Sequence, residues 1–251
     1  MILYEYPFNE RVRTYLRLEH LFQRLGELVP RDAAIDHHFV LTTIFEVMDV
    51  AGRADLKSDA LRDIEKQKQI LNSYRGNPAI SEAALDEVVA QLDNCYGALG
   101  SLPGKAGQPL TENDWLMSIR SRAGIPGGTC EFDLPAYYAW QHQSAGQRRA
   151  DLLRWVATLA PLADAIQMLL KLLRDSGTPQ KVMTQAGQYQ QNLPQGRTFQ
   201  LLRLGLDEQL GLVPEISGNR LMVSVRLVRH DVEGKQYADD QDTAFELTLC
   251  S

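Results

Sequence analysis

The sequence predicts an α+β protein, with an N-terminal helical domain and an antiparallel β domain built from the C-terminal third plus the first strand. Apolar residues recur at three- and four-residue steps up to about residue 175, which is the period of a helix with one buried face. From Gly177 onward apolar and polar residues alternate, as in a strand with one solvated face. We therefore expect a helical domain over residues 8–176, which is also the expected dimerisation domain, and a β domain over residues 1–7 and 177–251.

The helical part begins at Asn9, a residue type that caps helix N-termini, and Pro30 ends the first helix. Asp133 is expected to cap a segment that starts at Pro135, since proline is tolerated in a first helical turn. The core candidates of the second helix are Phe39, Ile44, Phe45, Val47 and Met48. The other helices are predicted over residues 33–50, 54–74, 81–99, 112–122, 144–159 and 161–175.

The strands are predicted from alternation and from β-branched and aromatic residues. Residues 2–7 form a short strand that we expect to join the C-terminal sheet, which would bring both ends of the chain together. Further strands contain Leu202, Leu204 and Leu206 and, at the end of the chain, residues 245–249, and a hairpin turn is predicted at residues 217–219. The strand after this turn should direct Leu221, Val223, Val225 and Leu227 to one face and Arg220, Met222, Ser224 and Arg226 to the other.

Composition limits the classes of function. The 251 residues carry a net charge of −6, which argues against general nucleic-acid binding, although local basic patches remain open. The three cysteines are far apart and form no CxxC pair, so neither a disulfide framework nor a zinc site is expected, and a reducing cytoplasm fits. The N-terminus has no signal-peptide pattern, and no apolar run is long enough to predict membrane insertion. No cofactor-binding motif occurs.

The hypothesis that the protein is a hydrolase depends on three residues: Cys130 as the thiol, Asp133 as the orienting group and His142 as the base. Nothing in their spacing fixes a mutual geometry, and the surrounding residues match no cysteine-hydrolase pattern. A small buried residue is the commoner role of such a cysteine. We therefore expect a protein that is not an enzyme.

Basic residues form three groups. On the first helix Arg13, Arg17, His20 and Arg24 follow one another at steps of four, three and four, which places them along one face. Arg220 and Arg226 are expected to share the outer face of a strand, and Tyr138 lies in an aromatic segment flanked by arginines. The two charged groups can also be interpreted as ordinary solvated faces, and the aromatic segment as ordinary core packing. Arginine also suits the capture of carboxylates, which favours an acidic peptide as partner.

Three stretches resemble the ZapD family of bacterial cell-division proteins: EYPFNERVRTYLRLEHLF near the N-terminus, IPGGTCEFDLPAYYAW at residues 125–140, and LLRLGLDEQL with EISGNR at residues 201–220. The resemblance implies a cytoplasmic protein without enzymatic activity that acts at the midcell division site. It implies binding to the C-terminal tail of the tubulin-like protein FtsZ. It also implies a symmetric homodimer that bundles FtsZ filaments, with a helical and a β domain in each protomer.

The same resemblance implies partner-binding roles for individual residues. Basic positions of the family fall on Arg13, Arg17 and Arg226, and a lysine position falls on Arg220. Another basic position is occupied here by Met222, and Tyr138 stands where the family has a histidine. Arg24 joins this set as the last cation of the helical stripe. The alternative function is a nucleic-acid-binding regulator that uses the same arginine clusters.

Overall fold

The computed structural model describes residues 1–52 and 56–251 and divides into two compact units. The β unit comprises Met1–Leu16 and Leu170–Ser251, and the helical unit comprises Arg17–Leu169. The boundaries fall inside the first and last long helices, whereas the domain limits expected from the sequence follow the change of secondary structure. Helices at one end of the chain and strands at the other make the protein α+β, as predicted.

The described residues form nine α-helices: α1 (Glu10–Leu28), α2 (Ala34–Gly52), α3 (Leu56–Asn72), α4 (Glu82–Ser101), α5 (Gln108–Thr111), α6 (Asp114–Ala123), α7 (Pro135–Gln141), α8 (Ala145–Ala157) and α9 (Ala160–Asp175). The predicted start of the third helix at Ala54 lies outside the described residues. The other predicted helices are confirmed to within a few residues, and the short α5 was not expected.

Local capping explains where several helices begin. Asn9 Oδ1 accepts the Val12 amide at 2.9 Å, as predicted. Ser144 and the side chain of Gln147 cap the start of α8 reciprocally. The expected cap at Asp133 is wrong, because the N-cap position of α7 is Leu134, which makes no side-chain cap bond.

The β unit contains two four-stranded antiparallel sheets. The first has the order β1 (Ile2–Pro7), β4 (Leu201–Leu206), β8 (Ala244–Cys250), β2 (Gln180–Met183). The second has the order β3 (Gln188–Asn192), β6 (Met222–His230), β5 (Val213–Gly218), with β7 (Gln236–Ala238) also paired to β6. The prediction that the first strand joins the C-terminal sheet is confirmed, since Ile2 lies opposite Leu206.

The two sheets enclose one hydrophobic core. Leu204 of β4 and Val225 of β6 are fully buried, and the Tyr189 ring of β3 packs edge-on against Phe245 of β8 at 5.5 Å between centroids. The one solvated face predicted for β4 is wrong, because Leu201 and Gly205 are buried as well as Leu202, Leu204 and Leu206. The buried face predicted for β6 is confirmed except at Leu221. That residue precedes β6 and is 66% exposed, because the Asn219 side chain holds the Leu221 and Met222 amides in a turn.

The core of the helical unit includes a buried arginine. Arg148 of α8 donates from Nε to His37 Nδ1 at 2.9 Å and from its terminal nitrogens to the carbonyls of Gln141, Gln143 and Asp32. His37 Nε2 in turn contacts the Arg31 carbonyl at 2.6 Å. Burial lowers the pKa of His37; the hydrogen bond to the Arg31 carbonyl opposes this shift, and the charge of Arg148 adds to it. The neutral ring with its proton on Nε2 satisfies both contacts.

Phe39 does not belong to this core. It is 50% exposed, although it lies on α2 between the buried residues His37 and Val40, so its assignment as a core residue is wrong. Its ring instead contacts His38 at 5.7 Å between centroids. The other core candidates of α2, Ile44, Phe45, Val47 and Met48, are all buried, so those predictions are confirmed.

Candidate partner-binding surfaces

The basic stripe on α1 consists of residues in different states of pairing. Arg13, in the β unit, pairs with Glu10 one turn earlier at 3.1 Å, an exposed contact. Arg17, in the helical unit, is exposed and has no hydrogen-bond or ion-pair partner in residues 1–52 and 56–251. Arg24 forms a two-point pair with Glu46 of α2, at 3.2 and 2.8 Å. Of the three, Arg17 is the most available to a partner's carboxylate, and Arg24 the least.

On the second sheet, Arg226 lies directly opposite Glu215 in the register of β5 and β6. Its Nε and a terminal nitrogen approach one Glu215 oxygen at 2.8 and 2.6 Å. Hydrogen bonds from Gln236 and then from Arg226 lower the pKa of Glu215. Both members of the pair are largely exposed, so exchange for an incoming carboxylate costs little.

Arg220 differs from Arg226. It lies in the turn before β6 and is exposed, and among the residues that the structure describes it has no ion-pair or hydrogen-bond partner. The structure therefore does not place Arg220 on the outward face of β6 with Arg226, as the alternation predicted, because β6 begins only at Met222.

Tyr138 belongs to the helical unit, near the middle of α7, and is 45% exposed. Its ring lies against His142 at 4.3 Å between centroids, and the His142 Nδ1 contacts the Tyr138 carbonyl at 2.8 Å. The neighbouring Tyr137 is buried instead, and its hydroxyl meets His38 Nδ1 at 2.6 Å. Burial raises the pKa of Tyr137. Tyr138 is thus a surface aromatic residue held by a histidine.

The residues considered for catalysis do not converge. Asp133 pairs with Arg122 at 3.5 Å, and the His142 ring contacts Tyr138. In the described part of the chain, no hydrogen bond or ion pair joins the side chains of Cys130, Asp133 and His142. The same residues contain no group of His, Cys, Asp and Glu side chains arranged to hold a metal ion.

Among the helices of the described residues, none is by itself long and apolar enough to cross a bilayer. Helices α8 and α9 pass this test only as a pair, and they are bent by 61°.

The sequence reasoning missed a cationic and aromatic segment between β3 and β4. The Arg197 guanidinium lies over the Phe199 ring, 5.0 Å from its centre, and bonds to the Ser251 hydroxyl at 3.0 Å. This segment has no periodic pattern that would single it out. The available signal was the local composition: from Leu193 to Phe199 the chain reads LPQGRTF, with one arginine and no acidic residue.

Comparison with known proteins identifies the class of protein to which these surfaces belong. A family model described as a cell division protein, ZapD, matches residues 16–226. The chain is 54% identical to "Cell division protein ZapD" of Ralstonia pickettii (strain 12J), over all of both chains. It is 53% identical to the protein of the same name in Janthinobacterium sp. (strain Marseille), again over the full length of both.

These matches span most or all of the sequence. The chain therefore belongs to the ZapD family of cell division proteins.

Proposed function

We propose that this protein is a cytoplasmic division factor that binds the C-terminal tail of FtsZ and, as a homodimer, crosslinks and bundles FtsZ filaments at midcell. The observation that carries the proposal is the membership of the whole chain in the ZapD family. The name of the family supports a role in division. To that role we add binding of the FtsZ tail, a homodimer and the bundling of filaments, each with a test given below.

The arginines support a carboxylate-rich partner. Arg17 and Arg220 are exposed and unpaired within residues 1–52 and 56–251, so each can accept a carboxylate without giving up an existing ion pair. Arg13 and Arg226 are held in exposed pairs, which contribute little to stability, so a better-placed partner can displace Glu10 or Glu215. Arg24 is more strongly engaged with Glu46 and contributes mainly to the packing of α1 on α2.

Bundling follows from binding if two copies act together. A flexible tail loses conformational freedom when it binds, so the affinity of one site should be modest. A homodimer offers every site twice, and tails on a filament are held at high local concentration. Two modest sites can then hold two filaments together. Because the contact is made by exposed charges, added salt should weaken it.

The test is co-sedimentation of the purified protein with polymerised FtsZ, either intact or lacking its C-terminal tail. We expect the wild type to pellet with intact FtsZ only, and Arg17→Glu and Arg226→Glu to lose at least tenfold in apparent affinity. Arg62→Glu, an exposed arginine of α3, is the matched control for net charge and should bind like the wild type.

The native mass in solution tests the dimer. A protein that pellets equally with tail-less FtsZ, or a monomer that still bundles filaments, would contradict the proposal. If both charge-reversal variants retain their folded circular dichroism spectrum and bundle filaments normally, the role of these arginines is refuted.

A further inference from the structure

Two cavities adjoin each other in the β unit, on either side of the segment 193–199. One has a volume of about 400 Å³ and the other of about 280 Å³. They share Pro194, Arg197 and Phe199 as a common wall, and together we call them the 193–199 groove. The larger cavity alone falls within the range of about 300–1,000 Å³ that is usual for ligand sites.

The lining of the groove is cationic and contains no acidic side chain. Arg197 and Arg220 line it, and none of its lining residues within the described chain is Asp or Glu. This is notable in a protein whose acidic residues outnumber its basic ones, 32 to 26. Arg197 bonds only to the Ser251 hydroxyl, and Arg220 has no partner in residues 1–52 and 56–251. The groove is therefore complementary to carboxylates.

Apolar surface lies beside these charges. The Phe8 ring lines the larger cavity and packs so closely on Gly218 that a Cβ there would lie 2.6 Å from the ring. Leu221, at the rim, is 66% exposed, an unusual state for a leucine whose neighbours at positions 223 and 225 are buried. The Arg197 guanidinium stacks on the Phe199 ring, and this contact limits the rotation of the arginine side chain. Less conformational freedom is then lost when Arg197 binds a ligand.

We propose that the 193–199 groove binds a short acidic peptide that carries one apolar side chain. The carboxylates bind Arg197 and Arg220, and the apolar side chain packs between Phe8 and Leu221. This inference rests on the proposed function, because the tail of FtsZ is the peptide expected to have this chemistry. It adds to that function a site away from the Arg226–Glu215 pair, in a part of the chain that carries no predicted site residue other than Arg220.

The experiment measures fluorescence anisotropy of a labelled synthetic peptide with the sequence of the FtsZ tail from the same organism, titrated with the full chain. We expect the double variant Arg197→Gln/Arg220→Gln to bind at least tenfold more weakly, which corresponds to about 1.4 kcal/mol. Leu221→Gln should weaken binding about threefold or more. All three residues are exposed, so folding should be retained, and circular dichroism checks this.

A matched double control, Arg62→Gln/Arg75→Gln, removes the same charge from exposed positions of the helical unit and should bind within twofold of the wild type. If the wild type binds the peptide but the groove variant binds equally well, the groove inference is wrong and the proposed function stands. If the wild type neither binds the peptide nor pellets with FtsZ, the proposed function fails and the groove inference fails with it.

Discussion

Replacing Arg148 by alanine should strongly destabilise the helical unit. The substitution leaves four buried or partly buried acceptors without their donor: His37 Nδ1 and the carbonyls of Asp32, Gln141 and Gln143. An unsatisfied buried polar group costs about 1–3 kcal/mol. Taking about 1 kcal/mol for each, since water will reach some of them, gives a loss of about 4 kcal/mol.

This loss converts into a melting temperature. The helical unit spans Arg17–Leu169, and unfolding entropy is about 2.1 cal/mol/K per residue, so the unit has about 0.3 kcal/mol/K. A loss of about 4 kcal/mol then lowers the Tm by about 12 °C. Arg148→Lys should lose about half as much, because one ammonium cannot reach acceptors that the planar guanidinium spans.

Tryptophan fluorescence is the appropriate assay. All three tryptophans of the sequence, Trp115, Trp140 and Trp155, belong to the helical unit and contact one another. Trp140 also lies 6.4 Å from His37 between ring centroids, so the signal reports the unfolding of this region.

The adjacent residue provides the control. Arg149 makes an exposed pair with Asp32, and Arg149→Ala should cost less than about 1 kcal/mol. If Arg148→Ala melts within about 3 °C of the wild type, or no lower than Arg149→Ala, the argument from buried acceptors is refuted.

Two further predictions concern other polar contacts. In the β unit, Glu5 accepts two hydrogen bonds from Arg174 and one from Arg203, and its side chain is 17% exposed. Glu5→Ala should therefore lower the free energy of unfolding by about 2–3 kcal/mol, measured by urea unfolding followed by circular dichroism. A loss below about 1 kcal/mol would contradict this. In the helical unit, the lowered pKa of His37 means that the unfolded chain takes up its proton first. The contribution of His37 to the free energy of unfolding should be complete above about pH 6.5 and fall as the pH drops towards the pKa of the folded state. His37→Gln should reduce this dependence of the unfolding free energy on pH. If the dependence is unchanged, His37 is not its cause.

Local periodicity was enough to predict most of the fold. The alternation of Val223, Val225 and Leu227 correctly predicted the buried face of β6, because successive side chains of any strand point to opposite faces of the sheet. Leu221 continued the pattern in sequence, but the pairing of β5 with β6 ends at Gly218 and Val223, so Leu221 lies in the turn beyond the paired residues. Where pairing stops is a property of two strands and cannot be found from one.

Site prediction had the same limit. Exposed positions of Arg17 and Arg226 followed from the helical and strand periods, and both are exposed. That Glu215 stands opposite Arg226 depends on register, which the sequence pattern did not specify. The groove formed by Arg197 and Phe199 was missed because two non-periodic segments far apart in sequence, 193–199 and 219–221, line it together.

The pairing of β1 with β4 has a consequence for synthesis on the ribosome. Ile2 is translated about 200 residues before Leu206, its partner in the sheet. At roughly 5–20 residues per second, the first strand waits about 10–40 s for its neighbour. By then the helical unit has already been translated, so the β unit is the last part of the chain to complete its fold. Chaperones have had time to bind the unpaired first strand.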